Sequence, residues 1–258
     1  MQFYKYQGTG NDFIIFDDRK AIFALSQKEI AHLCHRRFGI GADGLMLLQE
    51  AEGYDFRMVY YNSDGTEGTM CGNGGRCLVR FANDLGIVTD KTNFIAVDGP
   101  HLAYIDSEKI ALQMQDVKEV KSMQSDYYTN TGSPHYVQFC SNVAQVNVRE
   151  IGAKIRYSES FSHQNGTNVN FVEKLDDERI FVRTYERGVE DETYSCGTGV
   201  TAAALITHIQ EGYPSPVKIE TLGGHLSVEF EGNLSDGFHD IFLIGPAKRV
   251  FEGNITSL

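Results

Sequence analysis

The chain has 258 residues, 41% hydrophobic and 22% charged, and carries a net charge of −12. That size and composition suit a soluble globular protein of two domains, and no apolar run approaches the roughly 18–20 residues that span a bilayer. The acidic balance argues against a nucleic-acid or anionic-membrane surface, which needs clustered Lys and Arg, but leaves room for an anionic small substrate in a locally positive pocket.

Alternation over residues 3–6 predicts a strand, Gly8-Thr9-Gly10-Asn11-Asp12 a turn, and the apolar run 13–16 a second strand. This opening lacks the basic-then-apolar layout of a signal peptide. Ser26-Gln27-Lys28-Glu29 has the capping-box form, predicting a helix with Ile30, Leu33, Cys34 and Phe38 on one face and Gly39 as its stop. Strands follow at 45–48 and 56–61, then a helix after Cys71 with Leu78, Phe81, Ala82 and Leu85 at helical spacing and Gly86 at its close. Short strands are expected at 94–97, 102–105 and 110–114. The polar, charged stretch 114–125 reads as a seam.

The second half repeats this order: a strand at 136–139, a helix over 148–157, strands at 168–172 and 180–185, and an alanine-rich helix after Cys196 ending near Gly212. Strands at 217–221, 226–230 and 241–244 complete it. An internal duplication accounts for the repetition.

One phrase recurs in both halves: Met70-Cys71-Gly72-Asn73-Gly74 and Ser195-Cys196-Gly197-Thr198-Gly199. Each places a thiol at the start of a helix, where unpaired backbone N–H groups and the positive dipole end favour a thiolate. Ala202, Ala203 and Ala204 would let the second helix sit deep inside its own half. Two such helix starts aimed at one ligand would bind a carboxylate, with a sulfur on either face of the adjacent carbon. One thiolate would remove a proton and the opposite thiol deliver one, inverting the centre. Cys34, Cys77 and Cys140 read as small apolar fillers. Five cysteines is an odd number, and with no secretion signal they point to free thiols in a reducing cytosol. Their spacing suits no structural metal.

Further motifs stand in order along the whole chain: Gly8-Thr9-Gly10-Asn11-Asp12-Phe13, Gly39-Ile40-Gly41-Ala42-Asp43-Gly44, Asn62-Ser63-Asp64-Gly65-Thr66 and Tyr185-Glu186-Arg187-Gly188-Val189. With the two cysteine phrases they resemble the diaminopimelate epimerase family. The resemblance implies an α/β (α+β) fold of two pseudo-symmetric domains, each a mixed, curled β-sheet around a central α-helix, with the active site between them. The lobes are expected at residues 1–115 plus 246–258, carrying Cys71, and 116–245, carrying Cys196. It also implies cofactor-independent interconversion of LL- and meso-2,6-diaminopimelate, in lysine and peptidoglycan precursor synthesis. Carried over by motif, Cys196 is the base and Cys71 the acid in the LL-to-meso direction, assisted by His135 and Glu186. Asn11, Asn62, Asn168, Glu186 and Arg187 are the side chains that hold the substrate, and Gly72, Asn73, Gly197 and Thr198 supply the helix-start amides. No cofactor, metal, nucleic acid or membrane partner is implied; a cytoplasmic homodimer is expected.

Read as residues alone, Asn11 and Asn62 beside glycine fit turn formers, His135 after Pro134 a loop histidine, and Glu186-Arg187 a solvated pair at a strand end. Two positions depart from the family pattern. Ser133 stands where many members have Asn before Pro-His, and Gly44 where some have Gln. Three rivals remain: a proline or hydroxyproline racemase with the same two-thiol logic, a non-catalytic amino-acid binder, and a dithiol redox protein. The Asn-rich set suits a longer, doubly zwitterionic substrate than proline, and binding alone needs neither thiol. No phosphate cup paired with a lysine is evident for pyridoxal phosphate.

Overall fold

The computed structural model describes residues 1–162 and 165–256. The chain forms two compact units, Met1–Leu112 with Gly245–Leu258, and Gln113–Ile244. Residues 257 and 258, the end of the stretch expected in the first lobe, lie outside the described residues.

In the first unit β1 (Gln2–Gly8) runs antiparallel to β2 (Asn11–Asp17). Helix α1 (Gln27–Cys34) carries the chain over to β3 (Gly44–Gln49), parallel to β2, and β4 (Phe56–Asn62) returns antiparallel. A second crossover, α2 (Gly72–Asp84), leads to β5 (Lys91–Ala96), parallel to β4, and then to the antiparallel strands β6 (Gly99–Ile105) and β7 (Lys109–Gln113). The apolar run in β2 has no polar face because both faces are covered, as in crossover-connected parallel sheets. Phe13 and Ile15 pack with Met46, Leu78 and Phe81 on the α2 side. Ile14 and Phe16 pack with Ile30, Leu33 and Leu45 on the α1 side.

The second unit repeats the scheme. A hairpin of β8 (Val120–Met123) and β9 (Asp126–Asn130) precedes β10 (Pro134–Phe139). Helices α3 (Val148–Arg156) and α4 (Glu159–Ser162) lead to β11 (Asn168–Lys174), parallel to β10, and β12 (Arg179–Glu186) returns antiparallel. After β13 (Asp191–Thr193), the central helix α5 (Gly197–Glu211) leads to β14 (Val217–Thr221), parallel to β12. Strands β15 (Gly224–Asn233) and β16 (Gly237–Pro246) follow antiparallel. Ala202, Ala203 and Ala204 are fully buried in its core beside Val137, Val182 and Val228, so small residues do let the strands close around this helix. The expected class holds: two similar α/β units, each a mixed sheet around one helix.

Several details differ from expectation, β9, β13 and α4 among the elements not foreseen. Helix α1 begins at the capping box, with Ser26 accepting from Glu29 N and the Glu29 side chain accepting from Ser26 N, but it ends at Cys34. His35 turns extended, and its Nδ1 accepts the N–H groups of Arg37 and Phe38. Phe38 is therefore off the apolar face and 75% exposed. The stretch 114–125 holds β8. A final strand, β17 (Lys248–Asn254), pairs with β1 in the first unit. β8 and β17 are largely exposed and show no apolar alternation.

Candidate active site

Cys71 is the N-cap of α2 and Cys196 the N-cap of α5, with nearly the same backbone: φ −113°, ψ 122° and φ −114°, ψ 114°. The first helical hydrogen bonds run from Gly75 N to Cys71 O (2.7 Å) and from Val200 N to Cys196 O (2.9 Å). The amides of 72–74 and 197–199 thus have no acceptor within their helices and lie in the first turn after each cysteine.

In the first unit the Cys71 thiol donates to Asn11 Oδ1 at 3.7 Å, and Asn73 Nδ2 reaches the same oxygen at 3.4 Å. Asn11 Nδ2 donates to Asp43 at 2.7 Å, which fixes the orientation of its amide. Asn73 Oδ1 accepts from Arg76 Nη2 at 2.9 Å, and that guanidinium is fully buried. Beneath this cluster Lys5 and Arg36 clamp Asp12, each at 2.7 Å, and Arg36 also holds Asp43. Asn62 closes a turn: its N–H donates to Thr66 O, its carbonyl accepts from Gly65 N, and its Nδ2 donates to Thr66 Oγ1. Gly44 opens β3 against an aromatic ring, since a Cβ there would lie 2.5 Å from Tyr60 Cε2.

In the second unit Thr198 Oγ1 lies 3.5 Å from the Cys196 sulfur and 2.8 Å from His135 Nε2. Ser133 Oγ meets both His135 Nε2 (2.9 Å) and Thr198 Oγ1 (3.1 Å). His135 is not a loop residue; it lies in β10 with no exposed surface. Burial, helped by the charge of Arg187, pushes its imidazole down to about 3, so the ring is neutral at physiological pH. Its tautomer follows from Asn170. That amide accepts from Thr184 Oγ1 (2.9 Å) and donates to Tyr136 O (2.9 Å), so its Nδ2 faces His135 Nδ1 at 3.1 Å. Nδ1 must then accept, and the hydrogen sits on Nε2. His135 donates outward to the hydroxyls of Ser133 and Thr198, leaving the Thr198 hydrogen available to the Cys196 sulfur.

Asn168 Nδ2 donates to Pro134 O and Ser133 Oγ, while its Oδ1 accepts the Arg187 amide at 2.8 Å. Glu186 ends β12 and accepts from Thr193 Oγ1 at 2.9 Å. The structure thus gathers Cys71, Asn11, Gly72 and Asn73 in one cluster, and Cys196, Gly197, Thr198, His135, Asn168 and the Arg187 backbone in another. Sequence reasoning missed Arg76, Asn170 and Thr184. A signal for Asn170 existed: Asn168 and Asn170 are two apart on a strand, so both face one side, and a polar pair on a buried face calls for partners. Cys34 and Cys77 are fillers as expected, each pushed up to about 12 by burial.

The fold is shared with solved structures of low sequence identity. A phenazine biosynthesis protein of the PhzF family from Bacillus anthracis superposes with a TM-score of 0.79 at 14% identity, covering 100% of this chain and 99% of the other. A hydroxyproline epimerase from Agrobacterium vitis gives 0.70 at 13% identity over 99% and 90%. Such low identities speak to the fold alone. The sequence is more particular: the profile described as diaminopimelate epimerase matches residues 3–120 and 127–250. The diaminopimelate epimerase of Flavobacterium psychrophilum is 52% identical, covering 99% of this chain and 100% of that protein. That of Aquifex aeolicus is 38% identical over 99% and 98%. The chain belongs to the diaminopimelate epimerase family.

Proposed function

We propose that this protein interconverts LL- and meso-2,6-diaminopimelate without a cofactor, using the two N-cap thiols as base and acid. The carrying observation is the matched pair of N-caps, each a cysteine at the mouth of a buried helix. The helix-start amides bind the α-carboxylate and stabilise it as charge moves onto it. In the LL-to-meso direction the Cys196 thiolate takes the α-proton and the Cys71 thiol gives one to the opposite face. One C–H bond breaks, another forms, and the two sulfurs exchange protonation states.

The immediate neighbours support this division. A carbonyl oxygen beside Cys71 accepts an S–H and suits the acid, whereas the Thr198 hydroxyl beside Cys196 can donate and suits a thiolate. His135 and Glu186 assist the Cys196 side, and Asn11, Asn62, Asn168 and Arg187 hold the ammonium and carboxylate groups. Five free cysteines support a reducing, cytoplasmic setting, and we expect a homodimer, which sedimentation would test. Incubation with LL-diaminopimelate in D₂O tests the chemistry. Wild type should place deuterium at the α-carbon, and Cys71→Ala and Cys196→Ala should each lose epimerisation. Full turnover by either variant, or proline racemisation without action on diaminopimelate, would overturn the reading.

A further inference from the structure

Arg76 is among the largest fully buried side chains of the protein, and none of its partners is a carboxylate. Its Nη1 donates to Gly72 O (3.3 Å), and its Nη2 to Asn73 Oδ1 (2.9 Å) and Thr9 Oγ1 (3.3 Å). Its Nε has no hydrogen-bond partner among the described residues. A buried cation normally carries a counter-charge, because desolvation is expensive and neutral dipoles repay only part of it. A structural role alone would be served better by an apolar side chain. Position suggests the reason: Arg76 lies little more than one helical turn beyond Cys71, inside the helix whose N-terminus holds that thiol.

We propose that Arg76 is a positioning residue for Cys71, supplying the positive charge that favours its thiolate and, by turning Asn73 Nδ2 to Asn11 Oδ1, setting a competing donor on the oxygen that accepts the Cys71 S–H. This rests on the reading of Cys71 as a reacting thiol. The orienting chain is explicit. Arg76 takes Asn73 Oδ1, which turns Asn73 Nδ2 to Asn11 Oδ1, the oxygen that the Cys71 thiol meets. Thr9, held at φ 49° and buried, donates to Asn73 Oδ1 while accepting from Arg76, closing the ring of contacts. Burial draws Arg76 down to about 10, so it stays protonated at neutral pH, and the charges that act on it are those of Cys77 and Cys71.

Most of the other charged groups on elements packed against α2 are already engaged, and Lys248 of β17 is exposed to solvent. On β1 and β2, Lys5 is paired with Asp12, which is also held by Arg36, and Tyr6 donates to Asp84 of α2 itself. On β6 His101 pairs with Asp98, and on β17 Arg249 pairs with Glu252. Cys77 is kept neutral by burial. When Cys71 becomes a thiolate, Arg76 is a buried cation with no carboxylate partner to neutralise it first.

The test is iodoacetamide alkylation across pH 5–10, with Cys71 and Cys196 read separately by peptide mass spectrometry. In Arg76→Met and Arg76→Gln the Cys71 midpoint should rise by about one pH unit while that of Cys196 stays in place. Arg76→Lys should give a smaller rise, since it restores charge without the fork. An unmoved Cys71 midpoint in a folded neutral variant would overturn the proposal, as would both midpoints rising together. If neither neutral variant folds by circular dichroism, the lysine variant decides: a Cys71 midpoint near wild type supports the proposal, and a rise of about a full unit refutes it. Alkylation needs no turnover, so this result stands apart from the Cys71→Ala assay, which tests the catalytic reading itself.

Discussion

The two Cys-Gly-x-Gly phrases look alike, yet alanine at their last glycines should have very unequal consequences. A helical Gly→Ala change ordinarily stabilises by about 0.5–1 kcal/mol. At Gly199 the new Cβ would stand 2.4 Å from Asn170 Oδ1 and 3.3 Å from both His135 Cε1 and Cys196 Cβ, so something must move by about an ångström. Asn170 cannot yield cheaply. Its amide is held by Thr184, Tyr136 and His135 at 2.9, 2.9 and 3.1 Å, and each buried bond lost costs about 1–3 kcal/mol. Gly199→Ala should therefore destabilise by about 2–4 kcal/mol net and lower Tm by roughly 5–12 °C. At Gly74 the nearest atom is Met46 Sδ at 3.2 Å, the end of a flexible side chain, with Cys71 Cβ and Phe13 Cε1 both at 3.5 Å. Gly74→Ala should stay within about 1 kcal/mol of wild type. Urea unfolding followed by circular dichroism gives both numbers, and an epimerase assay should show Gly199→Ala losing at least about tenfold in kcat/KM. A Gly199→Ala protein as stable and active as wild type would refute the account of this cluster.

Thr198→Val removes the hydroxyl between His135 and Cys196 and should lower kcat by about 10–100-fold. Thr198→Ser should restore most of it, and a valine variant with unaltered kcat and pH profile would exclude the relay. Nitrogen-15 NMR of His135 should show a neutral ring protonated on Nε2 throughout pH 5–8, because burial and Arg187 hold its midpoint near 3; an imidazolium signal in that window would contradict this. For Asp12, burial pushes the carboxyl up, but the hydrogen bonds from Arg36 and Lys5 outweigh it and bring it to about 2. That value lies below the unfolded one of roughly 3.9, so the stabilisation is complete above about pH 4 and is lost as pH falls through about 2. Asp12→Asn should cost about 2 kcal/mol at pH 7 and flatten the acid limb of Tm against pH; an unchanged limb would argue against the clamp.

Much of this architecture was readable because buried strands and helices announce themselves by period. The run Phe13–Phe16 and the helical spacing of Leu78, Phe81 and Ala82 needed no tertiary information. The capping box marked where α1 starts, but its end depended on the imidazole of His35 capturing two following amides, which no period encodes. Strands β8 and β17 went unseen for the opposite reason. They are held by backbone pairing with partners chosen by the fold, and their exposed side chains carry no alternation. At the candidate site the thiols and their glycines were plain from the repeated phrase. Arg76 was passed over because a charged residue on a helix normally faces water, and nothing local distinguishes one that does not.

The pairing of β1 with β17 has a consequence for biogenesis. Translation at roughly 5–20 residues per second releases every residue of the second unit before β17 emerges. That later lobe can mature while the earlier one still waits, with one side of β1 a bare strand edge open to wrong partners. A ribosome stalled before residue 248 would yield a chain whose Cys71 half is unfinished, though its own codons were read long before. Synthesis through β17 is thus a checkpoint for assembling the first thiol's surroundings.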